Sequence, residues 1–168
     1  GIEKWQAEGR PLERGTVERV PGRFEPRESG WMRGIGAEEI VRRLADPQLR
    51  LLDVRAAAEF SGDELRAARG GHIPGAILWP WEENLGPDGT MRDPAEIRTR
   101  AEEAGLDPEQ ELVTYCQGGV RAAHAALALR LAGYPRVRVY DGSWAEWGNN
   151  PALPVESGAA RARSLRPA

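Results

Sequence analysis

The chain has 168 residues, 40% hydrophobic and 29% charged, enough for one domain with a core and some additional chain. A formal net charge of -3 gives no general attraction to nucleic acid or anionic membranes, and no apolar run approaches the roughly 18 residues of a membrane span. One cysteine, Cys116, with only His72 and His124 in support, excludes an internal disulfide, a Cys-x-x-Cys redox pair and a zinc site.

Residues 1–34 are rich in Pro, Gly, Glu and Arg and carry little apolar periodicity. Ile2, Trp5 and Leu12 are the buryable groups near the start, and residues 14–33 read as a linker wrapping a surface, with Trp5 and Trp31 as packing anchors. From Ala37 the pattern sharpens into a helix with Ile40, Val41 and Leu44 on one face, closed by Pro47. Leu49 to Val54 is a short apolar strand, Ala56 to Phe60 a short helix, and Ser61 to Gly71 a charged loop bounded by glycine. His72-Ile73-Pro74-Gly75 forms a turn before a strand at Ala76 to Trp79, and Pro80 to Arg92 reads as loop. Asp93 and Pro94 are an N-cap and first-position pair for a helix running to about Ala104.

The chemistry concentrates next. Glu111 to Tyr115 predicts a strand, Val120 to Ala132 a helix, and between them lies Cys116-Gln117-Gly118-Gly119. The glycines let the backbone take positive φ and turn N–H groups inward, and the helix start adds partial positive charge and unsatisfied N–H groups. Such a setting lowers a thiol pKa and holds an anion beside it, so a nucleophilic thiolate is favoured over a buried structural thiol. Arg136 to Tyr140 is a last strand, Asp141 to Trp147 turns into a short helix, and the tail from Ser157 is polar. Strands alternating with helices imply an α/β domain with a mainly parallel central sheet flanked by helices. Its ligand site is expected at the carboxyl ends of the strands, where Asp53 and Cys116 fall. Asp53 and Arg55 read as bracing the loop, because a carboxylate beside a needed thiolate raises its pKa. His72 reads as structural, and His124 as a partly buried helix residue.

Two further patterns bear on organisation. Gly1 to Trp5 followed by Arg10-Pro11-Leu12-Glu13 echoes Gly142 to Trp147 followed by Leu153-Pro154-Val155-Glu156, with a single one-residue gap. This fits residues 1–13 as the last helix of a preceding domain of the same type. The motifs Leu51-Leu52-Asp53-Val54-Arg55, Gly71-His72-Ile73-Pro74-Gly75-Ala76, the Cys116 loop and Tyr140-Asp141-Gly142-Ser143-Trp144-Ala145-Glu146-Trp147 occur in one order. In that order they resemble the rhodanese (thiosulfate/3-mercaptopyruvate sulfurtransferase) family, in particular the catalytic C-terminal domain of tandem sulfurtransferases.

The resemblance implies residues 35–156 as a rhodanese-like catalytic domain, residues 1–34 as the tail of a preceding domain plus linker, and residues 157–168 as a flexible tail. It implies transfer of a sulfane sulfur from thiosulfate, through a Cys116 persulfide, to a thiophilic acceptor such as cyanide or a thiol, with no metal or organic cofactor. Its partners are then a small-molecule donor and acceptor rather than nucleic acid or membrane, in a cytoplasmic protein. Backbone N–H groups from Gln117, Gly118, Gly119, Val120 and Arg121 would hold the sulfur's charge, with Asp53 and Arg55 as support.

The chain departs from the family in two places. Gln117 and Gly118 stand where thiosulfate enzymes often carry basic residues, so charge recognition falls to the backbone, Arg121, or an arginine such as Arg66 or Arg69. Glu59 stands where mercaptopyruvate enzymes often carry a carboxylate-binding arginine, which counts against that donor. The alternatives are a 3-mercaptopyruvate sulfurtransferase, a persulfide carrier for thiolation, and a cysteine phosphatase or arsenate reductase-like enzyme. The last uses loops with one more residue between cysteine and arginine than the four, Gln117 to Val120, found here.

Overall fold

The computed structural model describes residues 1–25 and 33–158. Helix α1 (Ile2–Ala7) leads into extended chain, and every residue from 1 to 25 is exposed. The rest runs α2 (Ala37–Arg42), β1 (Leu49–Asp53), α3 (Ala57–Ser61), β2 (Ile77–Leu78), a 3-10 turn (Trp81–Asn84), α4 (Pro94–Glu103), β3 (Glu111–Tyr115), α5 (Val120–Leu131), β4 (Val137–Val139) and α6 (Ser143–Trp147). The strands form one sheet in the order β2-β1-β3-β4, all parallel, as the alternation of strands and helices predicts.

Alternation along the strands divides the core into two layers. Leu52, Val54 and Leu112 pack with Ile97 and Ala101 of α4 and Leu129 of α5. Leu49, Leu51, Val113 and Tyr115 face the other way, against Ile40 of α2 and Trp144 and Trp147 of α6. Ala122, Ala125, Ala126 and Ala128 are fully buried, so α5 lies close against the sheet. Thr114 follows the same alternation, and its hydroxyl donates to the Ala122 carbonyl at 3.0 Å. Helix α4 starts as its sequence indicates, with Asp93 Oδ1 accepting from the Ala95 N–H at 2.8 Å and Pro94 in the first turn.

Several local expectations change. Helix α2 ends at Arg42, and Val41 is 38% exposed while Ile40 is fully buried. Adjacent residues on a helix point about 100° apart, so Ile40 and Val41 cannot share a face. The segment after β2 is not all loop: Trp81–Asn84 is a 3-10 turn, and buried Asn84 accepts from Trp79 Nε1 at 3.2 Å and donates to the Trp81 carbonyl at 3.1 Å. Trp5 does not anchor the amino-terminal segment to the domain. It stays 42% exposed, and its Nε1 donates locally to the Pro11 carbonyl at 2.9 Å. Trp147 makes the same bond to the Pro154 carbonyl at 2.7 Å, but from a fully buried ring. Nor do residues 14–25 wrap a surface, since all are exposed. Trp31 and residues 159–168 lie outside the described residues. Among the described residues, no helix is long and apolar enough to cross a membrane.

Candidate active site

Parallel register sets the carboxyl ends of β1 and β3 side by side: Asp53 pairs with Tyr115, and the Val54 N–H donates to the Tyr115 carbonyl at 3.0 Å. Cys116 follows immediately and is 1% exposed. The loop after it turns at Gly119, whose φ of 85° suits glycine, and a Cβ there would collide with the Asp141 carboxylate. Helix α5 then begins with no side chain capping it and no acidic residue in its first turn. Its first N–H groups therefore remain available, at the end of a helix that carries partial positive charge.

The loop is held from α6. Ser143 Oγ accepts from the Cys116 N–H at 3.1 Å and the Gly119 N–H at 3.2 Å, and donates to the Tyr140 carbonyl at 2.8 Å. Ser143 is fully buried and has a φ of 51°, an uncommon backbone state for a residue with a side chain. The N–H groups of Trp144 and Ala145 donate to the Cys116 and Gln117 carbonyls, both at 2.9 Å. Gly119 thus spends its N–H on Ser143, and the N–H groups of Gln117 and Gly118 have no acceptor among the described residues. In the sequence Ser143 is marked only as a serine at a tight turn after a strand, a signal that does not by itself show what its hydroxyl holds.

Asp53 and Arg55 form a buried pair. Arg55 Nη2 to Asp53 Oδ2 is 2.6 Å, Arg55 Nε reaches both carboxylate oxygens at 2.9 and 3.1 Å, and Nη2 also donates to the Gly71 carbonyl at 2.7 Å. The guanidinium lies 4.6 Å from the Trp144 ring centre, so it joins the end of β1, the turn at Gly71 and α6. Burial pulls the Arg55 pKa down, but the Asp53 carboxylate outweighs it and the guanidinium is held in its charged form. Asp53 and Tyr115 also interact: burial, then the Asp53 charge, pushes the Tyr115 phenol well above its ordinary range.

Arg121 turns toward α3. Its Nη1 and Nη2 meet Glu59 at 2.7 and 2.9 Å, and Glu59 also accepts from the Ala56 N–H at 3.1 Å. Burial raises the Glu59 pKa, but the Arg121 hydrogen bonds and the Ala56 N–H hold it below the ordinary carboxylate value. Arg121 is kept charged by Glu59 first and, against burial, by the charge of Cys116 as well. Arg66 is half exposed, 3.7 Å from Glu59 and 3.8 Å from Glu64, and its carbonyl accepts from Gln117 Nε2 at 2.9 Å. Cys116, Gln117, Arg121 and Arg66 are therefore brought together, while the Val120 side chain is 81% exposed and leaves only its backbone to the cradle.

Arg69 is not at the cradle. Its guanidinium donates to the carbonyls of Trp147, Gly148, Asn150 and Leu153, closing the end of α6. His72 stacks on Phe60 with ring centres 3.6 Å apart, and its Nδ1 is 2.9 Å from the Phe60 carbonyl. His124 is half-buried edge-on to Trp81, and burial lowers its pKa. Among the described residues, no three His, Cys, Asp or Glu side chains gather as a metal site. A hollow lined by Arg43, Pro47, Arg50 and Pro74 sits at the amino end of β1 and shares no residue with the Cys116 loop.

The profile of the rhodanese-like domain matches residues 36–150. The chain belongs to the rhodanese-like domain family. It is 38% identical over 162 residues to a protein from Azotobacter vinelandii named thiosulfate sulfurtransferase, covering 93% of this chain and 57% of that one. It is 39% identical over 160 residues to a probable 3-mercaptopyruvate sulfurtransferase from Pseudomonas aeruginosa, covering 94% and 56%. The anaerobic ergothioneine biosynthesis enzyme from Chlorobium limicola, solved with trimethyl histidine, superposes with a TM-score of 0.82 at 30% identity, over 95% of this rhodanese-like chain and 40% of that one. The chain thus spans less than two thirds of the length of these relatives.

Proposed function

We propose that the protein is a sulfurtransferase that accepts a sulfane sulfur on Cys116 and passes it to a thiophilic acceptor. The observation that carries this reading is Cys116 at the uncapped start of α5, in a loop whose carbonyls are engaged by α6 while the Gln117 and Gly118 N–H groups stay unengaged. In the first step the Cys116 thiolate attacks the outer sulfur of thiosulfate. A Cys–S–S bond forms, the donor's S–S bond breaks, and its electron pair leaves with sulfite. In the second step cyanide or a thiolate attacks the terminal sulfur, and the electron pair of the broken S–S bond returns to Cys116 as thiolate. The N–H groups of Gln117, Gly118, Val120 and Arg121 offset negative charge in both states. Asp53, Arg55 and Ser143 support the loop, and Gly119 contributes its turn rather than its N–H.

Thiosulfate is the favoured donor because Glu59 stands where mercaptopyruvate enzymes often carry a carboxylate-binding arginine, and its own carboxylate is engaged by Arg121. The similar proteins bear both names, so donor preference is decided by steady-state thiocyanate formation from each donor with cyanide. The expected result is a higher kcat/KM for thiosulfate. A tenfold preference for mercaptopyruvate overturns the donor, and phosphate release from an aryl phosphate without thiocyanate overturns the reaction class.

We also infer that residues 35–156 are the catalytic unit and that residues 1–13 close a preceding domain of the same type. Ile35 N–H donates to the Val139 carbonyl at 3.1 Å, and Glu156 pairs with His72, so both boundaries tie into the sheet layer. The shared Trp-to-Pro bond of α1 and α6 supports the repeat, as does the exposure of Ile2, Trp5 and Leu12 where α6 buries its tryptophans. Trypsin should cut first at Arg14, Arg19 or Arg23 and leave a remainder with the parent's unfolding midpoint. A large drop in that midpoint contradicts this division.

A further inference from the structure

We propose that Glu59 sets the charge of the Cys116 cradle, neutralising Arg121 and leaving Arg66 as the cation free to meet an anionic donor. The inference rests on the sulfurtransferase reading and deepens it. Glu59 is 2% exposed, and a carboxylate so enclosed stays ionised only with partners. It has them: the Ala56 N–H at 3.1 Å, both terminal nitrogens of Arg121 at 2.7 and 2.9 Å, and Arg66 at 3.7 Å.

Its two arginines differ in kind. Arg121, in the first turn of α5, is locked in a bidentate fork, so the charge it brings to the end of the Cys116 loop is already offset by the carboxylate behind it. Arg66 is fixed at its backbone by Gln117 Nε2, 2.9 Å from its carbonyl, while its guanidinium stays half exposed and more than 3.5 Å from both Glu59 and Glu64. It can swing to an incoming anion without unmaking a close bond. Other charges beside the loop are the Asp53–Arg55 pair, which cancels internally, the exposed Asp141 against Gly119, and Glu146 of α6, which accepts from the Tyr140 hydroxyl at 2.9 Å. Glu59 is therefore a positioning and specificity residue that acts through Arg121 and Arg66.

The test follows the pH dependence of Cys116 alkylation by iodoacetamide, together with thiosulfate kinetics, in wild type, Glu59→Gln, Glu59→Asp and Arg66→Ala. Glu59→Gln keeps the shape and the Ala56 contact but unmasks Arg121. Its alkylation midpoint is expected to fall by about one pH unit. Its KM for thiosulfate falls with it, and kcat falls because anionic sulfite is held longer. Glu59→Asp keeps the charge and the wild-type midpoint. Arg66→Ala keeps the midpoint and raises KM by about fivefold, the size expected for one partly exposed charge contact. An unchanged or raised midpoint in a Glu59→Gln protein with wild-type thermal unfolding overturns the proposal. A wild-type KM in Arg66→Ala overturns it too, even if Glu59→Gln does not fold. Alkylation needs no donor, so this failure is separate from a wild-type protein that simply takes no sulfur from thiosulfate.

Discussion

Near the start of β3, Arg43 and Arg138 share the carboxylates of Glu39, Asp46 and Glu111 through contacts of 2.6 to 3.5 Å. At the opposite end of the same strand, Arg121 and Arg66 share Glu59, but only Arg121 holds it closely. The residue types are the same and the outcomes differ. In the first cluster every charged group answers another, and nothing is left over for a ligand. In the second, backbone N–H groups, a loosely held arginine and a thiol remain uncommitted inside a frame fixed by Ser143, Asp53 and Arg55. Binding capacity in this fold lies where hydrogen bonding is incomplete by design of the loop, and rigidity lies where it is complete.

Perturbing each end should therefore show activity responding at one end alone. The largest effect is expected from Ser143→Ala, which leaves the buried N–H groups of Cys116 and Gly119 without an acceptor. That costs about 1–3 kcal/mol for an unsatisfied buried donor, and a loosened loop lowers kcat/KM for transfer by at least about tenfold. Urea unfolding and transfer kinetics on the same sample measure both; a variant with normal kinetics would remove Ser143 from the site. A smaller effect is expected from Arg138→Ala at the other end. It should lower unfolding free energy by about 1 kcal/mol, less in high salt, and leave transfer untouched.

The smallest effect is the pH dependence of that same cluster. The Arg138 hydrogen bond, opposed by burial, lowers the Glu39 pKa from its model-peptide value of 4.5. A carboxylate depressed by folding contributes stability that is present above its unfolded pKa and lost as pH falls through its folded one. Glu39→Gln should therefore flatten the acid limb of stability below about pH 4.5 without moving activity at neutral pH. An identical acid limb in the two proteins would show that the pair contributes nothing measurable.

Much of the site was legible because its elements are local. The strand into Cys116, the glycine pair and the helix after it occupy consecutive positions, and Asp53 with Arg55 falls at a strand end that periodicity alone marks. What escaped the sequence was long-range pairing. Ser143 meets Cys116 across 27 residues, Gln117 meets Arg66 across 51, and Arg121 meets Glu59 across 62. No local pattern ranks Arg66 against Arg69, whose guanidinium instead closes α6. Glu59 was visible as an unexpected acid, but not as the partner of Arg121. The amino-terminal segment misled in the other direction: Trp5 looked like an anchor by size, and its indole N–H donates to Pro11 of the same segment.

The central claim, that Cys116 carries sulfur in transit, is tested most directly by intact mass. After incubation with thiosulfate, the wild-type chain should gain one sulfur atom on Cys116, and cyanide should remove it with formation of thiocyanate. Cys116→Ser, folded to the same extent, should gain none. A wild-type chain that takes up no sulfur, or a Cys116→Ser chain that still does, would contradict the account.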